Sequence, residues 1–154
     1  MSTSRRSFIK QSSILAAGVY TGTMGLSAKS YGRIIGANDR VQVGVVGFSD
    51  RFRTSLFPPF LQLHKGMNFE IVGVSDLWKH RREEGQAFLQ EKLGNKVKAC
   101  ANNDELYNIK GLDAVFVSTA DFQHALHTIE AVNAGCDAYV EKPFAETMED
   151  NRAA

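Results

Sequence analysis

Four short stretches hold the residues able to do chemistry. The first is VQVGVVGFSDRFR, Val41 to Arg53. An apolar run ends there at Gly47, the kind of turn that brings backbone N–H groups up to a phosphate. The full phosphate-loop pattern has three glycines, and only Gly47 is kept. Ser49 stands where backbone should approach a pyrophosphate, and Phe52 where a helix should pack closely on a strand. Ser49 can donate its hydroxyl instead, and Arg51 or Arg53 can pair with phosphate oxygens. Both arginines fit a solvated surface equally well. The second stretch ends in Asp76, 29 residues beyond Gly47. An acid at that place can accept bonds from an adenosine ribose, or simply cap the next helix. Lys79 to Arg82 follow it and could meet a 2′-phosphate, but Asp76 would repel that group, which favours NAD over NADP. The third stretch, STADFQHALH, sets His124 and His127 one helical turn apart on one side. Either can face a ligand or serve as an ordinary structural histidine. The fourth, YVEKPF, places Glu141, Lys142 and Pro143 after an apolar run. Lys142 can offer a cation or an acid to a carbonyl oxygen. Pro143 holds Lys142 extended and permits a cis bond.

These stretches need elements to position them, and the pattern supplies strands alternating with helices. Val41–Val46, Phe69–Ser75, Lys96–Cys100, Asp113–Ser118 and Asp137–Val140 read as strands, the first a continuous β-branched run typical of a buried parallel strand. Lys79–Leu93 and Asp121–Asn133 read as helices, the latter stopped by Gly135. Asn102 or Asn103 caps a short helix through Tyr107, and Thr147 with Asp150 opens another. Pro58 and Pro59 predict that the first helix starts near them rather than at Arg51, since helix interiors reject proline. That would carry the helix's positive end away from Gly47. The alternation predicts an α/β fold, a Rossmann-like doubly wound parallel sheet of five or six strands. Its ligands bind beyond the carboxyl ends of the strands, where all four stretches lie.

The chain has 154 residues, 44% apolar and 23% charged, with a net charge of +1. Residues 1–28 hold Arg5, Arg6 and Lys10 and no acid; the remainder carries 15 basic and 17 acidic side chains. That balance gives no electrostatic reason to expect nucleic acid or an anionic membrane as a partner. SRRSFIK, Ser4 to Lys10, matches a twin-arginine export signal, and the apolar run Ile14 to Leu26 is too short and polar to span a bilayer stably. Residues 1–28 therefore read as a signal, 29–40 as a linker, and 41–154 as one nucleotide-binding domain in an exported, periplasmic protein. The twin-arginine route carries folded proteins, which suits a tightly held cofactor. Cys100 and Cys136 read as two separately buried thiols, with a disulfide the alternative. No Cys/His spacing suggests a metal site.

VQVGVVG, VSD, LDAVFVSTADFQHALHTIEAVNAGCDAYVEKPF and the twin-arginine leader together resemble the N-terminal half of the Gfo/Idh/MocA oxidoreductase family, with the EKP triplet as its hallmark. The resemblance implies an NAD(P)-binding Rossmann domain, with NAD preferred and NADP possible. It maps the family's cofactor contacts onto Gly47, Asp76, Thr119, His124 and Glu141, and its proton-moving lysine onto Lys142; His127 lies in the same motif. Ser49 and Arg51 add the phosphate contacts that the glycine-poor loop lacks. It also implies a sugar or polyol substrate, held by a C-terminal α/β domain absent from this chain, and oligomerisation through that domain's open sheet. Alone, the chain is expected to be inactive. A non-catalytic nucleotide-binding module and the cofactor half of an oxidation–elimination glycosidase are the alternative readings.

Overall fold

The computed structural model describes residues 40–154. The export signal expected at 1–28 and all but the last residue of the linker expected at 29–40 lie outside the described residues. Five strands form one sheet: β1 (Val41–Val46), β2 (Phe69–Ser75), β3 (Lys98–Cys100), β4 (Leu112–Val117) and β5 (Asp137–Val140). Their order is β3-β2-β1-β4-β5, and every pairing is parallel. The helices are α1 (Phe57–Met67), α2 (Lys79–Leu93), α3 (Asn103–Tyr107), α4 (His124–Asn133) and α5 (Met148–Ala153). This is the expected doubly wound Rossmann-like sheet. The order reverses at β1, whose successors lie on both sides of it, so a crevice opens beyond the carboxyl ends of β1 and β4.

The two faces of the sheet bury separate clusters. Val43 and Val45 of β1 join Ile71, Val74, Phe57 of α1 and Leu89 of α2 on one face. Val46 joins Val115, Val117, Leu106 of α3 and Ala131 of α4 on the other. Such double burial explains the unbroken apolar runs, since each large aliphatic side chain withdrawn from water stabilises by about 1.5–3 kcal/mol. Cys100 and Cys136 are both free and buried, and burial pushes both thiols up from their ordinary value.

Most boundaries fall where the sequence puts them. Asn102 caps α3 by accepting from the Glu105 N–H, and Thr147 caps α5 by accepting from Asp150 N–H. β3 begins at Lys98 instead of Lys96. Val97 is turned into the core, and its carbonyl accepts from the side chains of Gln86 at 2.8 Å and Gln90 at 3.4 Å, which removes it from the ladder. The helix after β4 opens with a tight 3₁₀ turn over Asp121–Gln123.

The first helix is a correction. It does not wait for Pro58 and Pro59 but is already helical at Asp50 and Arg51. Ser49 is its cap: the Ser49 Oγ accepts from Phe52 N–H at 3.1 Å, and the Ser49 carbonyl from Arg53 N–H at 3.1 Å. The chain then passes through a π turn, Phe52–Leu56, in which Phe57 N–H reaches back to the Phe52 carbonyl. The prolines follow at the first positions of α1. In an unbroken α-helix both rings would press on carbonyls one turn earlier and leave them without donors. The wider turn absorbs this at the join, as inserted π turns do.

Candidate functional site

The site is built on the carboxyl ends of β1, β2, β4 and β5. Gly47 leaves β1 at φ +84°, a conformation that L side chains rarely adopt. Its N–H donates to the Ser75 carbonyl at 2.9 Å, and its carbonyl accepts from the Ser118 hydroxyl at 2.7 Å. A Cβ on Gly47 would stand 2.7 Å from Thr119 Cγ2 and 3.1 Å from Thr119 backbone. The turns after β1 and β4 therefore touch, and only glycine fits between them.

The two missing glycines are replaced by a different packing. Phe48 and Phe52 are buried, and their rings lie 6.0 Å apart in an aromatic cluster with Phe57, Phe88 and Phe116. Phe48 lies against Gly85 of α2, where a Cβ would come within 2.7 Å of its ring. The small residue that allows close approach thus sits on α2 instead of in the loop. Sequence reasoning missed Gly85; an isolated glycine in the middle of a helical pattern was the available signal.

Asp76 joins the first two turns. Its carboxylate accepts from Phe48 N–H at 3.0 Å and Trp78 N–H at 2.8 Å, and its carbonyl accepts from Arg82 at 2.8 Å. A carboxylate offers about four acceptor sites, so two bonds leave capacity for a ligand hydroxyl. Ser49 uses its oxygen as the helix cap, which leaves its hydroxyl hydrogen to donate. Arg53 and Arg81 do not stand free. Arg53 pairs with Asp50 at 3.0 Å and Glu84 at 2.9 Å, and Arg81 with both acids at 3.3 Å, a closed ring of four charges at the rim.

A cleft of about 620 Å³ lies beyond these strand ends. Gly47, Ser49, Asp76, Thr119 and His127 all line it, together with the acids Asp104 and Glu130. His127 is buried, with Nδ1 3.0 Å from the Thr119 hydroxyl. Burial lowers its pKa; Glu130 opposes that and His124 adds to it. Glu130 also accepts from Asn103 at 3.0 Å, an acceptor wall that the sequence did not single out. His124 lies beneath the cleft at 1% exposure. Its Nδ1 is 2.7 Å from the Pro143 carbonyl and its Nε2 is 3.1 Å from that of Thr119. The ring links the β4 turn to the Lys142 loop.

Arg51, Glu141 and Lys142 stand outside the lining of that cleft, toward β5. Arg51 Nε donates to Glu141 Oε1 at 3.0 Å, and the other Glu141 oxygen accepts from Lys142 N–H at 3.2 Å. Burial works against the charge on Glu141, but the Arg51 guanidinium, the Lys142 N–H and the Lys142 charge outweigh it and hold the carboxyl below its usual range. The Lys142–Pro143 bond is cis. The Lys142 side chain is exposed. Among the described residues no group of three or more His, Cys, Asp or Glu could hold a metal ion, and no helix is long and apolar enough to cross a membrane.

A parallel sheet with a glycine turn at its switch point and an acid after the second strand is the frame of a dinucleotide-binding domain. Residues 41–154 match the oxidoreductase family with an NAD-binding Rossmann fold, and the chain belongs to that family. Its cofactor is a nicotinamide dinucleotide, as the sequence led us to expect. Over 71 residues it is 38% identical to a 1,5-anhydro-D-fructose reductase of Ensifer adhaerens, covering 46% of this chain and 20% of the relative. Among solved structures, the WlbA dehydrogenase of Bordetella pertussis, in complex with NADH and UDP-GlcNAcA, superimposes with a TM-score of 0.62 at 22% identity, over 74% of this chain and 31% of that one. KijD10, a 3-ketoreductase of Actinomadura kijaniata in complex with NADP and TDP-benzene, gives 0.60 at 21% identity, over 75% and 33%. The chain thus spans about a fifth to a third of the length of these relatives.

Proposed function

We propose that residues 41–154 hold NAD and serve as the cofactor domain of an exported oxidoreductase that acts on a sugar or polyol. The observation that carries the reading is the bare Gly47 turn, closed against Thr119 and bonded through Phe48 N–H to Asp76. These residues fit the cofactor. Asp76 keeps acceptor capacity for ribose hydroxyls, and the first helical turn after Ser49 presents N–H groups and a positive dipole end suited to a pyrophosphate. Thr119 and His127 set the opposite wall of the cleft. His124, buried with the Pro143 and Thr119 carbonyls each within reach of one ring nitrogen, acts by holding those turns in place through its N–H donor.

When bound, the nicotinamide ring supplies the hydride acceptor or donor. The chain's own contribution is positional and acid–base. The exposed Lys142 ammonium, set at the end of β5, presents a proton and a positive charge to the substrate oxygen whose carbon is oxidised or reduced. Glu141 anchors the backbone of that lysine. The acids Asp76, Asp104 and Glu130 line the cleft, and Arg81, its one lining Lys or Arg among the described residues, is already paired. A 2′-phosphate finds no unpaired cation there, which favours NAD over NADP.

A sugar or polyol substrate is supported by the similarity to a 1,5-anhydro-D-fructose reductase and to a dehydrogenase in complex with UDP-GlcNAcA. The remaining substrate contacts, and any homo-oligomer interface, are assigned to a further α/β domain. Export is supported by SRRSFIK at Ser4–Lys10. Fluorescence titration with NADH and NADPH tests the reading directly. NADH is expected to bind more tightly than NADPH by about tenfold, the worth of one mismatched charge contact. A folded protein that ignores both at millimolar concentration would overturn it. Fractionation of cells carrying the wild type or Arg5→Lys/Arg6→Lys tests the export route, with loss of the periplasmic pool expected for the double variant.

A further inference from the structure

We infer that Arg51 is a positioning residue for Lys142, acting through Glu141 as a brace across the crevice at the switch point. The inference rests on the reading that Lys142 serves the reacting oxygen. Three strands define the span: Arg51 follows β1, Glu141 follows β5, and β4 lies between them. With strands about 4.8 Å apart, the contact reaches roughly 10 Å along the sheet edge. One side chain therefore bridges the two turns that a ligand at this edge must touch.

The Lys142 loop needs such a brace. β5 is an edge strand and, among the described residues, pairs only with β4. Its last ladder bond is Glu141 N–H to the Val117 carbonyl at 3.0 Å. Beyond it, two contacts hold the loop: Lys142 N–H on Glu141 Oε2, and the Pro143 carbonyl on His124. The first depends on a side chain that is only 7% exposed. A carboxylate so buried requires a partner, and Arg51 is the guanidinium that supplies it. Arg51 is itself fixed on the π turn, where its second nitrogen donates to the Ser55 hydroxyl at 3.2 Å. Order in the first turn is thereby transmitted to the backbone of Lys142.

The test uses the full chain as wild type, Arg51→Ala, Arg51→Lys, Glu141→Gln and the Arg51→Ala/Glu141→Gln double variant. Hydrogen exchange without dinucleotide reads the brace itself. Both single variants are expected to raise exchange over residues 141–146, the double variant no further than either, with β1, β2 and β4 protected as in the wild type. NADH titration then reads its consequence. Each single change is expected to weaken NADH by about tenfold, as loss of a part-buried charge-assisted bond does, and the double by the same factor instead of the product. Arg51→Lys keeps the charge without the planar fork and is expected to fall between wild type and Arg51→Ala. Unchanged exchange over 141–146 in Arg51→Ala, or losses that multiply in the double variant, overturns the brace. If the wild type binds no NADH, the dinucleotide reading fails while the exchange result still decides whether the brace exists.

Discussion

At the scale of single residues, Gly47 is the position with the least freedom. An alanine there must take φ +84° and place its Cβ 2.7 Å from Thr119 Cγ2, with Thr119 backbone at 3.1 Å behind it. The left-handed conformation alone costs about 1–2 kcal/mol. Because backbone cannot yield as a flexible side chain does, Gly47→Ala is expected to lose about 2–3 kcal/mol in urea unfolding, and NADH binding with it. His127 makes a different prediction. Burial disfavours its imidazolium, so its folded pKa lies below the unfolded one of about 6.5. The unfolded chain takes up the proton first. The stabilising difference is therefore complete above about pH 6.5 and is lost as pH falls through the folded value. His127→Gln is expected to flatten the decline of stability below pH 6.5, measured as urea midpoints across that range. An unchanged profile would mean that the ring is protonated equally well in both states.

At the scale of elements, the first loop and α2 must be read together. Gly85 lies inside α2, where alanine would ordinarily gain about 1 kcal/mol in helix propensity. Here the added methyl would meet three atoms of Phe48 between 2.7 and 3.1 Å, in a ring only 1% exposed. Overpacking of that kind costs about 1–3 kcal/mol, so Gly85→Ala is expected to destabilise despite its better propensity. Combining it with Phe48→Ala should give less loss than the sum of the two, because the clash then has no partner. The same pair shows what the sequence made legible. The strands and α2 were readable because burial on both faces forces continuous apolar runs and helices need a polar outer face. Lys79–Leu93 and Asp137–Val140 accordingly agree with the structure residue for residue. The start of the first helix was not legible, because Pro58 and Pro59 break an α-helix by a local rule that a π turn evades. Likewise, Ser49, Asp76 and Thr119 were readable as strand-end residues, and they line one cleft with His127 of α4. The Arg51–Glu141 contact was not, since 90 residues separate the partners and only the sheet order brings them together.

At the scale of the whole molecule, the cleft draws on turns after β1, β2 and β4 that have few bonds to one another. The Gly47 turn reaches the second through Ser75 and Asp76 and the third through Ser118. A ligand spanning all three adds contacts that the unfolded chain cannot make, so binding and stability are linked. At about one hundred times its Kd, NAD contributes about 2.7 kcal/mol to the folded state. For a domain of this size that is about 10 °C in Tm. Thermal unfolding with NAD, NADP and neither at equal concentration reads this directly. NAD is expected to raise Tm the most, because NADP brings its 2′-phosphate toward Asp76, Asp104 and Glu130. The excess for NAD should shrink in Asp104→Asn, an exposed acid whose removal leaves the Asp76 bonds intact. Equal shifts with both dinucleotides in the wild type would show that the acids of the cleft do not face the ribose. The choice between cofactors would then lie with the paired arginines at the rim, which would have to leave Asp50 and Glu84 to receive a phosphate.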